Sequence, residues 1–252
     1  MLQSSQDTPF AGQLAVITGG AQGLGFATAL LLAQRGASVH ILDRNPDALA
    51  AAVAKLSANG HAASGRDVDV SDEAAVEAAA AELIGRQGAP HVLVNNAGFF
   101  PFESIMTVSA QRWDEVFAVN TKSAFLCTRA FGRAMIGRGY GRIVCIVSSG
   151  AYGPNPTLPH YAAAKAALLS VIRTFAVEFA PHEVLVNGVS PGNIATEASA
   201  QADWLTERIP RIPVRRAALP EEIAEIVAFL ASSRNRYVVG ETVVASGGYV
   251  MV

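Results

Sequence analysis

The chain predicts an α/β fold built on a doubly wound parallel sheet with helices on both faces. Strand-like apolar runs alternate with helix-like segments along the whole sequence, which implies parallel strands joined by right-handed crossover helices. The strands are near-continuous apolar runs, as in Leu14–Thr18 (LAVIT), the pattern of a sheet covered on both faces. A glycine-rich turn spanning 19–25 follows the first strand and opens the first helix.

The elements follow in order. Leu14–Thr18 is the first strand, and 23–36 is a helix stopped by glycine. Ser38–Asp43 is the second strand. Residues 46–59 form a helix with proline in its first turn, where the missing N–H costs nothing. Residues 62–70 make a weaker third strand, 72–87 an alanine-rich helix, and 91–95 a fourth strand. Residues 111–137 carry one long helical pattern. Then come a strand at 142–147, a long helix at 161–180, a strand at 184–189, a helix at 221–232 and a short last strand, Thr242–Ala245. No linker, repeat or low-complexity run divides the sequence, so 1–252 reads as one domain, with 1–11 expected to be flexible. Residues 190–220 break the rhythm: four prolines stand among the apolar Trp204, Leu205, Ile209 and Ile212. A long irregular stretch with apolar anchors predicts a lid, placed at 195–213.

Composition excludes several classes. Of the 252 residues 51% are hydrophobic and 16% charged, and the mean hydropathy is +0.30. A soluble domain usually carries about 25% charged residues. The apolar surplus predicts a homo-oligomer. Nineteen basic and 21 acidic residues leave a net charge of −2, which gives no field for nucleic acid or an anionic membrane. No apolar run approaches the roughly 18 residues that span a bilayer. The first twelve residues carry Asp7, no base and no signal-peptide core. Cys127 and Cys145 lie in apolar stretches without a CxxC and read as buried thiols, so a reduced, cytoplasmic setting is expected. His40, His61, His91, His160 and His182 are scattered without ligand spacing, so no metal is expected.

Chemistry concentrates at a few places. Thr18-Gly19-Gly20-Ala21-Gln22-Gly23-Leu24-Gly25 lets the backbone approach a pyrophosphate at a helix N-terminus, although its spacing is GxxxGxG rather than GxGxxG. Asp43 ends the second strand, where a carboxylate can accept hydrogen bonds from a ribose diol. Tyr161 and Lys165 stand four apart on one helix face; in a chain with five tyrosines and three lysines, chance gives about 0.06 such pairs. Ser148 and Ser149 end the fifth strand, on the side of a parallel sheet where ligands bind. Asn95-Asn96-Ala97-Gly98 ends the fourth, and Asn120 interrupts an apolar helix. Each piece alone has an ordinary explanation: a ligand-free glycine turn, a turn acid, a capping serine, a back-bonded asparagine.

Jointly these residues give the sequence a family likeness. It resembles the short-chain dehydrogenases/reductases over about residues 12–250, through TGGAQGLG at 18–25, Asp43, Asp69-Val70, NNAG at 95–98, Asn120, Ser148, YAAAK at 161–165 and SPGNIAT at 190–196. The resemblance implies a Rossmann-like fold with a seven-stranded sheet and a catalytic set of Asn120, Ser148, Tyr161 and Lys165, with Ser149 a bystander. It also implies cofactor contacts from Gly19, Gln22, Gly23, Leu24 and Gly25, and from Asp43 and Arg44. Asp69 and Val70 would meet the adenine. Asn96, Ala97 and Gly98 would lie along the ribose, with Tyr161, Lys165, Pro191, Gly192, Ile194 and Thr196 around the nicotinamide. Ser246 departs from the family, where aspartate often precedes two glycines.

The implied reaction is hydride transfer between NAD(H) and a secondary alcohol or ketone, with Tyr161 as acid/base. A lysine ammonium about 4 Å away, at an effective dielectric of about 20, is worth about 4 kcal/mol, or roughly three pKa units. A near-neutral phenol is therefore expected. Lys165 would also hold the nicotinamide ribose, Ser148 the substrate oxygen, and Asn120 a water leading to solvent. Asp43, and the neutral Gln22 in the glycine turn, favour NAD over NADP, against Arg44 beside the acid. Phe99 to Phe102, Tyr152, Pro154, His160, Trp204 and Leu205 should face one cleft; Phe100, Tyr152, His160 and Trp204 join Ser148 and Tyr161 as expected substrate contacts. Such walls suit an apolar or aromatic substrate. The helices at 111–137 and 161–180 predict subunit contacts of a tetramer. Two other readings stand beside this one, a 3-oxoacyl-acyl-carrier-protein reductase and a nucleotide-sensing or scaffold protein on the same fold.

Overall fold

A computed structural model describes residues 8–197 and 199–252. Its sheet has seven parallel strands in the order β3-β2-β1-β4-β5-β6-β7. The strands are β1 (Leu14–Thr18), β2 (Ser38–Asp43), β3 (Ala63–Asp67), β4 (Val92–Asn95), β5 (Gly141–Ile146), β6 (Val184–Pro191) and β7 (Thr242–Ala245). The chain runs outward from β1 to β3, then crosses back to place β4 beside β1. The strand order therefore reverses between β1 and β4, and a crevice opens at their carboxyl ends.

Alternate side chains of the central strands enter two cores. In β1, Ile17 faces one and Val16 the other, both wholly buried. The first core joins the sheet to α1 (Gly23–Gln34), α2 (Pro46–Ala58) and α8 (Pro220–Ala231). The second joins it to α3 (Glu73–Gln87), α5 (Ser123–Arg138) and α6 (Pro159–Phe179). Two covered faces are the reason the central strands are buried along their whole length and mostly apolar. Edge strand β3 is only half-buried and is shorter than the sequence suggests. Asn45, Asp72 and Ser109 cap α2, α3 and α4 (Ala110–Phe117) by accepting backbone N–H groups of the first turn.

Several expectations are corrected. Of the segment 1–11, residues 1–7 lie outside the described residues; Phe10 is wholly buried and its N–H bonds Arg35 O at 3.1 Å. The helix expected at 111–137 is broken into α4 and α5 by a π turn at Ala118–Lys122. The helix expected from Tyr161 starts at Pro159, which puts Tyr161 in its first turn. Within the expected lid, a short helix α7 (Asp203–Arg208) is followed by a 3-10 turn, and Leu205 and Ile212 are buried; Ala198 lies outside the described residues. Among the described residues no helix is long and apolar enough to cross a membrane.

Candidate active site

The glycine turn packs too tightly for side chains. Gly19 and Gly23 have positive φ, +60° and +55°, and a Cβ on Gly25 would lie 2.1 Å from Gly19 O. Across the crevice, Asn96 Nδ2 donates to Thr18 O (3.1 Å) and Gly19 O (2.8 Å). Thr18 Oγ1 accepts from the N–H groups of Asn96 and Ala97. The ends of β1 and β4 are thus locked together, with Thr18 in a role the sequence reading does not assign.

Gln22 precedes α1 without a side-chain cap, and the first turn holds no acid. Among the described residues the N–H groups of Gly23, Leu24 and Gly25 have no acceptor outside the helix. A helix N-terminus in this state fits an anion such as a pyrophosphate. A Cβ on Gly23 would stand 3.5 Å from Thr196 Cγ2, so Thr196 closes the opposite wall.

Further along the crevice, Asp43 Oδ2 accepts from Ala21 N and Oδ1 from Asn45 N, both at 3.1 Å. The carboxylate is thereby fixed while each oxygen keeps a free lone pair. Arg44 is exposed, with its guanidinium carbon 5.9 Å from the Phe99 ring centroid. Asp69 Oδ1 accepts from Ser71 N (2.9 Å) and Ser71 Oγ (2.7 Å). Burial works against ionisation of Asp69, but the Ser71 bonds and the Arg44 charge outweigh it and hold the carboxyl below its ordinary value. Val70 is buried in the core on the α3 side.

Tyr161 and Lys165 lie one turn apart on α6, and Lys165 is only 3% exposed. Its Nζ donates to Ile146 O at 2.7 Å, at the end of β5, and stands 5.7 Å from the Tyr161 ring centroid. Ser148 follows in extended backbone and its Oγ accepts from Gly150 N (3.1 Å), capping the 3-10 turn Ser149–Tyr152. A Cβ on Gly98 would lie 3.2 Å from Asn120 Oδ1 and 3.9 Å from Lys165 Nζ, so the turn after β4 abuts both groups.

Burial works against the expected near-neutral phenol. Burial pushes the Tyr161 phenol above its ordinary value, and a hydrogen bond with Ser148 opposes the rise. Burial also pushes the Lys165 ammonium down, to about 8. A Coulomb estimate between two groups in a fixed dielectric leaves out the cost of charging either one away from water.

The Asn120 side-chain amide is bound to backbone: Nδ2 donates to Phe99 O (2.7 Å) and Val116 O (2.9 Å), and Oδ1 accepts from Phe99 N (3.3 Å). The side chain grips the loop after β4, and Oδ1 keeps a second lone pair. It also explains the π turn. Asn120 takes the carbonyl four residues back, Ser123 Oγ takes Val119 O at 2.5 Å, and Ser123 N bonds Ala118 O five residues back. Thr121 Oγ1 donates to Ala164 O (2.7 Å), fastening the turn to α6.

Aromatic residues gather around Tyr161. The Phe100 ring centroid is 5.8 Å from that of Tyr161, and Phe102 is 5.7 Å from Trp204 on α7. Glu103 N bonds Thr157 O (2.9 Å), and Glu103 pairs with Arg112 (3.0 Å), two residues the sequence reading passes over. Tyr152 is half-buried in the 3-10 turn. His160 is the correction here: its ring is wholly buried and its Nδ1 accepts the Tyr161 N–H at 3.0 Å, so it does not face an open cleft. Pro191 ends β6, and Gly192 N bonds Ala245 O (3.0 Å). Ile194 pairs with Ala218, and Thr196 N and Oγ1 meet Ser199 Oγ at 3.0 and 2.8 Å. Ser246, the departure from the family pattern, is buried; it bonds both N–H and C=O of Val250 and closes the C-terminal turn.

Comparison with known proteins identifies the class. The family model described as "Enoyl-(Acyl carrier protein) reductase" matches residues 19–250. Dehydrogenase/reductase SDR family member 4 of Homo sapiens is 36% identical over 246 residues, covering 95% of this chain and 88% of that protein. The 3-oxoacyl-acyl-carrier-protein reductase FabG of Escherichia coli (strain K12) is 34% identical over 245 residues, covering 96% and 99%. A crystal structure from Beutenbergia cavernae, holding NADP at low occupancy, is 35% identical with a TM-score of 0.91, covering 96% of this chain and 98% of that one. The chain belongs to the short-chain dehydrogenase/reductase family and is an oxidoreductase acting on CH–OH or keto groups.

The grip of Asn120 on Phe99 is measurable. Asn120→Ala leaves a peptide N–H and C=O of the loop unpaired, and urea unfolding should show a loss of about 1–3 kcal/mol. An unchanged midpoint would mean the loop is held by its other contacts alone.

Proposed function

We propose that the protein transfers a hydride between NAD(H) and a secondary alcohol or ketone with an apolar or aromatic body. The observation that carries this reading is the convergence of Tyr161, Lys165, Ser148 and Asn120 at the carboxyl ends of β4 and β5, beside the uncapped N-terminus of α1. The nicotinamide, when bound, supplies or accepts the hydride. The phenol of Tyr161 gives a proton to the substrate oxygen in reduction and takes one in oxidation. Ser148, capping the turn just after β5, holds the same oxygen. Lys165, with an ammonium poised near pH 8, favours the phenolate and grips the nicotinamide ribose. Asn120 acts through the loop it clamps, which keeps Gly98 and Phe99 against the site. Phe100, Phe102 and Trp204 form the apolar wall, and 195–213 act as the lid over it, anchored by Leu205 and Ile212.

The acyl-carrier-protein reductase reading has the likeness to FabG and the description of the family model in its favour. Arg211 and Arg215, exposed near the lid, are its candidate docking charges, whereas Arg216 is paired with Glu222. A substrate panel of simple ketones against acyl thioesters separates the two. Within that panel Tyr161→Phe should cut kcat by about 10²–10⁴-fold with cofactor affinity retained. Retention of more than a tenth of the wild-type rate would remove Tyr161 from the mechanism.

Cofactor choice rests on Asp43, a carboxylate fixed by two backbone N–H groups. A 2′-phosphate would bring about two negative charges to it. One such pair about 4 Å apart, at an effective dielectric near 20, costs about 4 kcal/mol before screening. One related structure holds NADP at low occupancy, so the preference rests on this chain's own residues rather than on the fold. NAD(H) should therefore exceed NADP(H) by at least tenfold in kcat/KM, and Asp43→Ala should narrow or reverse that ratio, leaving Arg44 to pair the phosphate. Equal use of both by the wild type would mean that Arg44 governs the site.

The same reading includes a cytoplasmic homotetramer. Phe125 on α5 is 39% exposed and Val177 on α6 is 79% exposed, and Phe229, Val243, Met251 and Val252 are further exposed apolar side chains. Light scattering at micromolar concentration should give four times the chain mass; a monomer would contradict it.

A further inference from the structure

The helix that carries Tyr161 and Lys165 begins without an ordinary cap. A helix leaves the N–H groups of its first turn unpaired, and a Ser, Thr, Asp or Asn side chain before it usually takes one of them. Here that place is held by Leu158, which makes no side-chain cap. Pro159 brings no N–H to the first position. Ala162 N bonds Leu158 O at 2.9 Å, beginning the regular ladder. The Tyr161 N–H falls between these, and the ring of His160 takes it, Nδ1 accepting at 3.0 Å.

Nδ1 accepts only if its lone pair is free, so the ring is neutral and its proton sits on Nε2. That Nε2 is buried and has no partner among the described residues. The ring thus leaves a buried donor unsatisfied while it caps the residue that carries the phenol. The charges acting on it are Glu103, from the loop after β4, and Arg112, on α4; these two are paired with each other.

We propose that His160 is a positioning residue for Tyr161: its imidazole caps the first turn of α6 and so fixes the backbone from which the phenol reaches Ser148. The proposal rests on Tyr161 being the acid/base of the reaction. Protonation would turn Nδ1 into a donor and break the cap. Burial favours the neutral ring and outweighs the pull of Glu103, with Arg112 acting in the same direction as burial. The cap therefore holds at neutral pH and is lost only below the ordinary histidine value of 6.5.

The test compares wild type, His160→Leu and His160→Asn in the reduction direction, with a ketone that the wild type turns over. Leucine removes the acceptor; asparagine keeps one that does not titrate. His160→Leu should lose at least tenfold in kcat with the cofactor KM within twofold, and His160→Asn should recover most of the rate. The wild-type kcat should fall on the acid side with a midpoint below 6.5, and that limb should be missing in His160→Asn. A leucine variant with more than half the wild-type kcat, or one whose kcat and cofactor KM worsen together, overturns the proposal. Should His160→Leu fail to fold, the asparagine profile decides: an acid limb like that of the wild type overturns it, a flat one supports it. Wild type active with Tyr161→Phe equally active would instead sink the acid/base reading and leave the cap untouched.

Discussion

A lysine ammonium held away from water, with one backbone carbonyl as its hydrogen-bond partner, is the constraint around which this site is arranged. Lys165 is 3% exposed and reaches Ile146 O at 2.7 Å. Burying a cation is costly unless it is paired or gives up its proton. The structure lies between those outcomes, with the ammonium pushed down to about 8. That contact also fixes α6 against the end of β5, and with it the relative places of Tyr161 and Ser148.

The rest of the architecture brings other groups to that point without spending charge. Asn120 clamps the loop after β4 by a two-way amide bond to Phe99, and the π turn around it is the backbone's answer to losing carbonyls to side chains. Thr121 fastens that turn to α6. Thr18 and Asn96 lock β1 to β4, so the glycine turn is hydrogen-bonded to the loop after β4. The two halves of the site, one for an anion and one for proton transfer, therefore meet at the carboxyl ends of the central strands.

The sheet was legible because both of its faces are covered, which writes each central strand as an apolar run. The site's position followed from the glycine turn and the strand ends. The break at 118–122 was not legible, because helical periodicity continues on both sides of it. Asn120 and Ser123 were visible as polar residues in an apolar helix, but which carbonyls they capture depends on tertiary contacts. His160 was placed in the cleft because it lies between Ser148 and Tyr161; Pro159, a first-turn signal, would have put it inside the helix. The burial that opposes the phenol's tuning was not legible, because pairwise attraction can be read from spacing while desolvation requires knowing what covers the groups. The short α7 carries too few residues for its period to show.

The chain has only three lysines, Lys55, Lys122 and Lys165, so the central claim can be measured directly. Protein labelled with ¹³C at lysine Cε and titrated by NMR should give a signal, absent from Lys165→Met, that titrates near 8. Titration of that signal at the ordinary lysine value of 10.5 would contradict the account.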